Sequence, residues 1–452
     1  YAPKGIGLLY VRDGAPFTPL LAGGGQEGSL RSGTENMSGI AALGAVLAAL
    51  EDGQTFRSPA MLASFRDALA GALQQAFPGL VFNAPLAQCL PTTLNFAVPG
   101  LSSRLLQDLF DAADVRVSGG SACSAAQAQP SFVLEAMGLP DWQAAGAVRL
   151  SIGPAVDDNF IAEACARIRA CGESLRRHCM SPADNLPTVG SGITRFVQDG
   201  ACCYLVADAA SQRCLLIDAR PEQVERLAQG LRCQGYPLLA VLSSSGEPEH
   251  AQARALLAEA LPELMPALAG LDAQGWPLGQ QALPLGRRSL RRQGQAFLLG
   301  DEFGFGQSDP QAAGPRLWAP ARDEAQQFAS LAALPPAAPV AQLEGAQLQA
   351  FIAAHPDALL VDVREPYEQF LSHTPELHGA ALTAVPLSRL LNAIPVWLAE
   401  QRPLLFFCRS GNRSRQAALA VARLGHGQAW TLAGGLALLP AAEPAADPAF
   451  YV

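Results

Sequence analysis

The chain has 452 residues, of which 50% are hydrophobic and only 16% are charged, and its formal net charge is −9. This acidic balance argues against a nucleic-acid surface, because phosphate binding needs clustered Lys and Arg. The longest apolar run, residues 39–50, is shorter than the roughly 20 residues that cross a bilayer, so we expect no membrane contact.

The chain contains ten cysteines at irregular spacings. In a chain of this length such spacing is typical of free thiols in a reducing compartment and not of a disulfide framework. We therefore predict a cytoplasmic protein.

The length predicts about three domains, and we divide the chain accordingly into three blocks. The first block, residues 1–178, combines short β-like runs at 115–117 and 148–153 with helical periodicity at 62–77 and 161–178. This mixture predicts an α/β domain.

The middle block, residues 193–330, follows a linker rich in Pro, Gly, Ser and Asn. It opens with apolar runs at 203–208 and 214–219, which predict two strands joined by a short polar turn.

The third block, residues 343–440, follows a Pro/Ala linker at 334–342. Its apolar runs at 359–365 and 403–408 each precede a loop and a helical segment. This alternation predicts a parallel sheet with covering helices.

The strongest candidate site is the motif CRSGNRS at residues 408–414, where a buried strand ends at Cys408 and a helix follows. Backbone N–H groups of such a loop, together with the positive end of the helix dipole, favour a thiolate, and Arg413 adds a permanent charge nearby. A thiolate held in this way can attack a sulfane sulfur and carry it as a persulfide. The loop residues predicted to bind substrate are Arg409, Ser410, Gly411, Asn412 and Arg413.

Two other interpretations of this motif are a buried structural cysteine and a phosphatase loop. Gly, Ser and two Arg after a strand are not core residues, which argues against the first. A phosphatase loop has one more residue between Cys and Arg than the four present here, so the loop suits a single sulfur better.

The third block resembles a rhodanese domain over nearly its whole length. The motifs DVREPYE (362–368), HGAALTAVPL (378–387), CRSGNRS and LAGG (432–435) occur in the order of that family. The resemblance implies a three-layer α/β fold and a sulfurtransferase that uses small sulfur donors. Asp362 and Arg364 are expected to be structural.

The segment SGGSACSAAQAQPS, residues 118–131, is rich in small residues and predicts a mobile loop that carries Cys123. A thiol on such a loop can collect sulfur in one place and deliver it in another. By composition alone, an ordinary loop cysteine is the alternative.

The first block resembles the C-terminal half of a cysteine desulfurase, a pyridoxal 5'-phosphate enzyme of the class V aminotransferase type. The matching motifs are YAPKGIGLLYVR (1–12), GGGQEGSLRSGTEN (23–36), LPTTLNF (90–96), SGGSACSAA (118–126), PSFVLEAMG (130–138) and VRLSIG (148–153). The resemblance implies a PLP-transferase type small domain. It also implies that Cys123 takes sulfur from the cysteine–cofactor adduct and that Arg149 grips the carboxylate of L-cysteine. It implies further that Thr34 reaches the cofactor phosphate of the partner subunit in a homodimer.

In that family the lysine that holds the cofactor lies just before the Tyr of the first motif, whereas this sequence starts at Tyr1. Lys4 belongs to the following turn and is not that lysine. We therefore expect a fragment that does not catalyse desulfuration alone.

Residues 196–250 resemble the start of a metallo-β-lactamase-fold hydrolase, which implies an αββα domain. That family carries a Thr-His-x-His-x-Asp-His run of metal ligands, and the corresponding residues here are SSGEPEH, 244–250. His250 and, later, Asp301 are retained. The ligand positions with a different residue are Ser245, Glu247, Glu249 and Arg322. We therefore predict a degenerate domain that binds no metal.

The combined interpretation is a multidomain α/β sulfur-transfer protein. Sulfur from L-cysteine would reach Cys123, pass to Cys408 and leave to a protein acceptor. One alternative is a stand-alone rhodanese that uses thiosulfate or a persulfide. A non-enzymatic alternative is a scaffold for sulfur-trafficking partners.

Overall fold

The computed structural model describes residues 4–119, 131–178, 180, 190–198, 200–265, 270–306, 317–322, 340–372 and 381–439. The chain forms two compact units. The first consists of Tyr1–Gln74, Val81–Ala97 and Val117–Ala166, and the second of Gln75–Leu80, Val98–Arg116 and Arg167–Val452. Within the described ranges, no helix is both long and apolar enough to cross a membrane.

The first block contains a small antiparallel sheet with the strand order β1-β2-β4-β3. Its elements in chain order are α1 Met37–Glu51, α2 Pro59–Ala76, β1 Val81–Phe82, β2 Thr93–Ala97, α3 Ser103–Ala112, β3 Ser118–Gly119, α4 Phe132–Ala136, α5 Asp141–Ala145, β4 Val148–Ser151 and α6 Asp158–Arg177. Helix α2 buries Leu62, Phe65, Leu69 and Leu73, which recur every three or four residues and form one face.

The strand predicted at 115–117 is wrong, because β3 begins at Ser118. Asp114 adopts a left-handed backbone with φ of 56° directly after α3. Arg116 then pairs with Asp111 at 2.5 Å, so this stretch is held to the end of α3 and sheet pairing starts later.

The middle block is a sandwich of two sheets. Its elements are β5 Gly192–Gln198, β6 Ala201–Asp208, β7 Arg213–Ile217, α7 Val224–Gln234, β8 Leu238–Leu242, α8 Pro248–Ala260, β9 Ala282–Leu285, β10 Arg288–Gln293, β11 Ala296–Leu299, β12 Phe303–Phe305 and β13 Leu317–Ala319. The strand orders are β5-β6-β7-β8 and β13-β12-β11-β10-β9. All pairs are antiparallel except β7 with β8 and β12 with β13.

Strand β6 shows why this block holds two sheets together. Cys202 and Tyr204 belong to the core shared with the second sheet, whereas Cys203 and Leu205 belong to the core that contains residues of α7 and α8. Because successive side chains point to opposite faces, a strand covered on both sides is apolar throughout, as β6 is from Ala201 to Ala207.

The third block is a five-stranded parallel sheet with the order β14-β18-β17-β15-β16. Its elements are β14 Ala341–Leu343, α9 Leu348–Ala354, β15 Leu359–Asp362, α10 Pro366–Leu371, β16 Ala381–Ala384, α11 Ile394–Glu400, β17 Leu404–Phe407, α12 Asn412–Arg423 and β18 Ala429–Leu432. In β17, Leu404 and Phe406 lie in one core and Leu405 and Phe407 in another, so helices cover both faces.

Parts of all three blocks pack together within the second unit. Ser174 Oγ donates to the Tyr367 carbonyl at 2.7 Å, and α3 packs against α10. The Asn392 side chain bonds both the N–H and the carbonyl of Ile193, at 2.8 and 2.7 Å. The predicted domain boundaries stay a prediction, because most of both linkers lies outside the described residues.

The prediction of free thiols is wrong for Cys233, which is disulfide-bonded. Sequence spacing does not show which cysteines approach to bonding distance, because tertiary packing decides it. The free cysteines of the described residues are Cys89, Cys165, Cys171, Cys202, Cys203, Cys214 and Cys408. Burial raises the pKa of both Cys171 and Cys214 to about 12, which makes these thiols unreactive.

Candidate functional site

Cys408 lies at the carboxyl end of β17, where a short loop leads into α12. The residue is fully buried, and the last loop residue, Gly411, has φ of 89°, a conformation that favours glycine. This turn lets α12 begin at Asn412, immediately beside the cysteine.

Two polar groups contact the sulfur, and one of them is held by further hydrogen bonds. The Gly411 N–H donates to Cys408 Sγ at 3.2 Å, and Sγ lies 3.7 Å from Ser414 Oγ. Ser414 Oγ donates to the Gly411 carbonyl at 2.9 Å and lies 2.9 Å from Thr431 Oγ1. The backbone donor and the start of α12 both favour negative charge on the sulfur.

A second loop fixes the backbone of the first. The N–H groups of Leu436 and Ala437 donate to the carbonyls of Cys408 and Arg409, each at 2.9 Å. A Cβ atom on Gly435 would lie 2.2 Å from the Cys408 carbonyl oxygen, so only glycine fits. This contact explains the second glycine of the LAGG motif.

The predicted substrate-binding residues of the loop have different surroundings. Ser410 and Asn412 are exposed. The Arg409 guanidinium pairs with Asp111, with Nε and Oδ2 2.7 Å apart, and with Asp114, with Nη2 and Oδ1 2.5 Å apart. Their role toward a substrate stays a prediction.

The charge of Arg413, predicted to act beside the sulfur, is already paired with Glu368. Arg413 Nη2 donates to Glu368 Oε1 at 2.6 Å, and Nη1 donates to Oε2. Glu368 is 1% exposed. Burial favours a lower pKa for the Arg413 guanidinium, but the hydrogen bonds and charge of Glu368 outweigh it and raise that pKa above its usual value. Substrate binding by Arg413 stays a prediction.

A buried ion pair stands at the neighbouring strand end. Arg364 Nη2 donates to Asp362 Oδ2 at 2.7 Å, and Arg364 Nη1 donates to the Ser372 carbonyl at 3.0 Å. Both charged side chains are at most 2% exposed. The pair therefore ties the end of β15 to the end of α10, as a structural contact does.

Sequence reasoning missed four residues of this site: Ser414, Thr431, Glu368 and Gly435. Ser414, Glu368 and Gly435 each belong to a motif quoted above, in which no role was predicted for them. Ser414 lies in the motif of Cys408 itself. The other three lie far from Cys408 in sequence and reach it only through the sheet.

The residues predicted for desulfuration lie in the first unit. Cys123 is outside the described residues. Arg149 is exposed on β4, where it is paired in register with Ser118, five residues before Cys123. Thr34 is exposed in the segment that precedes α1. The roles of these residues stay predictions.

The residues of this chain do not by themselves fit pyridoxal phosphate. The cofactor is held by a lysine amine, and Lys4 is the only lysine among the 452 residues. Lys4 lies exposed in a turn, so it lacks the apolar surroundings that activate such an amine. No chemical step is therefore derived through this cofactor.

The degenerate ligand positions of the middle block are paired with one another. Glu247 accepts from Arg220 Nη1 at 2.6 Å and from Arg322 Nη2 at 3.2 Å, and the hydrogen bond from Arg220 lowers the pKa of this carboxyl. His250 Nδ1 lies 2.9 Å from the Ala219 carbonyl, and its Nε2 lies 3.0 Å from Ser245 Oγ. A carbonyl only accepts, so Nδ1 carries a proton.

The other positions of this region add no ligand cluster. Glu249 lies in the first turn of α8, and Asp301 is exposed between β11 and β12. Across the described part of the chain, no three His, Cys, Asp or Glu side chains are grouped to hold a metal ion. That the protein binds no metal stays a prediction.

Comparisons with known proteins identify two domain types in this mixed α/β chain. Residues 1–162 match the family "Aminotransferase class-V", and residues 345–439 match "Rhodanese-like domain". The chain therefore contains an aminotransferase class-V segment of the cysteine desulfurase kind and a rhodanese domain.

Curated relatives match the first of these segments. A cysteine desulfurase of Sinorhizobium fredii is 38% identical over 152 residues, which are 34% of this chain and 39% of that protein. The cysteine desulfurase IscS of Dictyoglomus turgidum is 36% identical over 155 residues, with the same shares. The chain thus spans about two fifths of the length of these relatives.

The solved structures that match this chain have low TM-scores. A NifS-like protein is 30% identical with a TM-score of 0.30, covering 37% of this chain and 42% of that protein. ETHE1 from Myxococcus xanthus is 16% identical with a TM-score of 0.24, covering 31% of this chain and 79% of that protein. These TM-scores are too low to support the predicted αββα fold of the middle block, which stays a prediction.

Proposed function

We propose that the chain is a sulfurtransferase in which Cys408 carries sulfane sulfur as a persulfide. The observation that carries this proposal is the Gly411 N–H, which donates to Cys408 Sγ at 3.2 Å. A backbone donor fixed by two loops stabilises charge on the sulfur without having to reorganise. Both domain types found in the chain support sulfur transfer in general.

The proposed reaction has two balanced steps. The Cys408 thiolate attacks the terminal sulfur of a donor persulfide, the donor S–S bond breaks, and the donor leaves as a thiolate with the bonding electron pair. A nucleophilic acceptor then attacks the terminal sulfur now on Cys408 and restores its thiolate. The Gly411 N–H is the donor that faces the sulfur of Cys408 in both steps.

We propose Cys123 as the internal donor and L-cysteine as the ultimate sulfur source. Asp114 is bound to Arg409, the residue next to Cys408. Cys123 lies nine positions after Asp114 in the sequence, and an extended chain of that length reaches about 30 Å. This tether raises the effective concentration of donor for acceptor. The proposed roles of Arg149 toward L-cysteine and of Thr34 toward PLP require a cofactor-binding lysine that these 452 residues do not supply, so this step is not assigned to the chain alone.

A stand-alone rhodanese is the second candidate. Every contact of Cys408 Sγ given above comes from the third block itself, so the cradle needs no residue of the first block. In that case thiosulfate or a small persulfide would load Cys408 directly.

The chain is further proposed to be a cytoplasmic homodimer that delivers sulfur to a protein acceptor. The proposal of a partner subunit is supported by large apolar side chains of the first unit that are more than half exposed: Leu8, Leu9, Tyr10, Leu20, Leu21 and Met37. Sedimentation equilibrium tests the dimer, for which two chains per particle is the expected result.

The proposed function is tested by steady-state sulfur transfer from cysteine persulfide to cyanide. We expect Cys408→Ala to lose essentially all transfer, because the sulfur carrier is gone. Cys89→Ala is the matched control, since Cys89 is a free, partly exposed cysteine outside the site. Full transfer by the Cys408→Ala protein would contradict the proposal.

A further inference from the structure

Arg409 is the residue best placed to recognise an anionic donor, because it directly follows Cys408 and a guanidinium suits oxyanions. Its side chain is nevertheless only 15% exposed and already pairs with two carboxylates, with a hydrogen bond to Asp114 and a charge contact without hydrogen-bond geometry to Asp111. Nε lies 2.7 Å from Asp111 Oδ2, and Nη2 lies 2.5 Å from Asp114 Oδ1. The positive charge is therefore paired before any donor arrives.

The two carboxylates are held in place by more than this ion pair. Asp111 lies in the last turn of α3, and Asp114 follows it in a left-handed conformation that Asp tolerates better than most residues. Arg116 pairs with Asp111 at 2.5 Å and with Asp114 at 3.5 Å. The hydrogen bond from Ser174 to Tyr367 joins α6 to α10 in the same unit. Asp111 and Asp114 are therefore held beside Arg409 in the folded protein.

The second arginine of the loop is occupied as well. Arg413 is bound to the buried carboxylate of Glu368. A dianion such as thiosulfate would have to displace a carboxylate to gain a guanidinium contact. A thiol-borne persulfide carries at most one negative charge, so it gains less from a guanidinium than a dianion does. The Gly411 N–H, which donates to Cys408 Sγ, acts on the sulfur without a free arginine.

We propose that Asp111 and Asp114 are specificity-determining residues that occupy Arg409 and so select thiol-borne persulfides over small dianionic sulfur donors. This inference rests on the proposed role of Cys408 as sulfur carrier. With thiosulfate, the Cys408 thiolate attacks the sulfane sulfur, the S–S bond breaks and sulfite leaves with the electron pair. With a persulfide, a thiolate leaves instead.

The experiment compares the unaltered chain with the D111N/D114N variant, using thiosulfate or cysteine persulfide as donor and cyanide as acceptor. Asn keeps the shape of each side chain and removes its charge, so Arg409 becomes available. We expect kcat/KM for thiosulfate to rise roughly tenfold or more, the effect of a charge-assisted hydrogen bond. The value for cysteine persulfide should change by less than about threefold.

Two further variants isolate the cause. Arg409→Gln placed in the D111N/D114N background should return kcat/KM for thiosulfate to the parent value. D357N/E400Q removes two exposed carboxylates that precede β15 and β17, at the sheet edge opposite Cys408. The donor preference of this control should stay unchanged.

The outcomes separate the inference from the proposed function. An unchanged donor preference in a folded D111N/D114N protein overturns the inference, while loading of Cys408 by persulfide keeps the proposed function. Lack of transfer from both donors by the unaltered chain overturns both. Should the double variant not fold, the single Asp114→Asn variant must still show a rise for thiosulfate, and its absence overturns the inference.

Discussion

The loop after β17 and the loop after β8 are built alike but use their polar groups differently. Each follows a buried strand of a parallel pair and leads into a helix. After β17, a backbone N–H is directed at the sulfur of Cys408. After β8, the polar side chains bind one another: Ser245 with His250, and Glu247 with Arg220 and Arg322.

This difference shows how a loop that can stabilise a reacting group differs from a loop whose polar side chains bind only one another. A loop that stabilises a reacting anion keeps donors aimed at one atom that can change its charge. In the middle block the Glu247 carboxylate is shared by two arginines, and the Asp218 carboxyl group accepts both the N–H and the hydroxyl of Ser244 at 2.6 Å. Polar residues at a strand end are therefore not enough to predict chemistry.

The largest expected effect is the difference in stability loss between Glu368, which pairs with Arg413 after β17, and Glu247, which follows β8. Glu368→Ala leaves the charge of Arg413 buried without a partner, and we expect a loss of about 3–5 kcal/mol in the free energy of unfolding. Glu247→Ala removes a carboxylate that is 34% exposed, so we expect a loss of no more than about 1 kcal/mol. Urea denaturation of both variants measures the contrast, and equal losses would contradict it.

A smaller effect is expected at Gly435, which has φ of 60° and leaves no room for a Cβ beside the Cys408 carbonyl. Gly435→Ala should displace the loop and lower kcat/KM for sulfur transfer roughly ten- to hundredfold, as strain of about 1–3 kcal/mol does. The matched control is Gly427→Ala, because no atom lies within 4 Å of the added Cβ. If both variants retain parental kinetics, the second loop does not position the cysteine.

The smallest effect is a pH dependence in the middle block. Burial raises the pKa of Asp218 in the folded protein above its unfolded value near 3.8. The protonated carboxyl group therefore stabilises the folded protein at low pH, and this stabilisation is lost as the pH rises through the folded-state pKa. Asp218→Asn should therefore gain stability relative to the parent as the pH is raised from about 4.

Asp208 provides the control with the opposite sign. The hydrogen bond from the Ser211 hydroxyl lowers its pKa, so its contribution is present above pH 3.8 and is lost as the pH falls. Asp208→Asn should lose stability relative to the parent as the pH rises. Thermal melts across pH measure both slopes, and slopes of the same sign would exclude this account.

The sequence predicts the parallel sheet of the third block and the loop of Cys408 because both are local patterns. Apolar runs, glycine and the start of a helix all lie within a few residues of the cysteine. The partners of the arginines could not be predicted in this way, since Arg409 and Asp114 lie 295 residues apart. Glu368 likewise meets Arg413 only because α10 and α12 lie near each other at the carboxyl edge of the sheet. Such pairs depend on tertiary packing, which cannot be predicted from the local spacing of residues in the sequence.

The most direct test of the account is mass spectrometry of the peptide that contains Cys408, after the chain reacts with persulfide carrying isotopically labelled terminal sulfur and before any acceptor is added. We predict that this peptide gains one labelled sulfur atom, which cyanide then removes as labelled thiocyanate. Label on other cysteines with none on Cys408 would contradict the central claim.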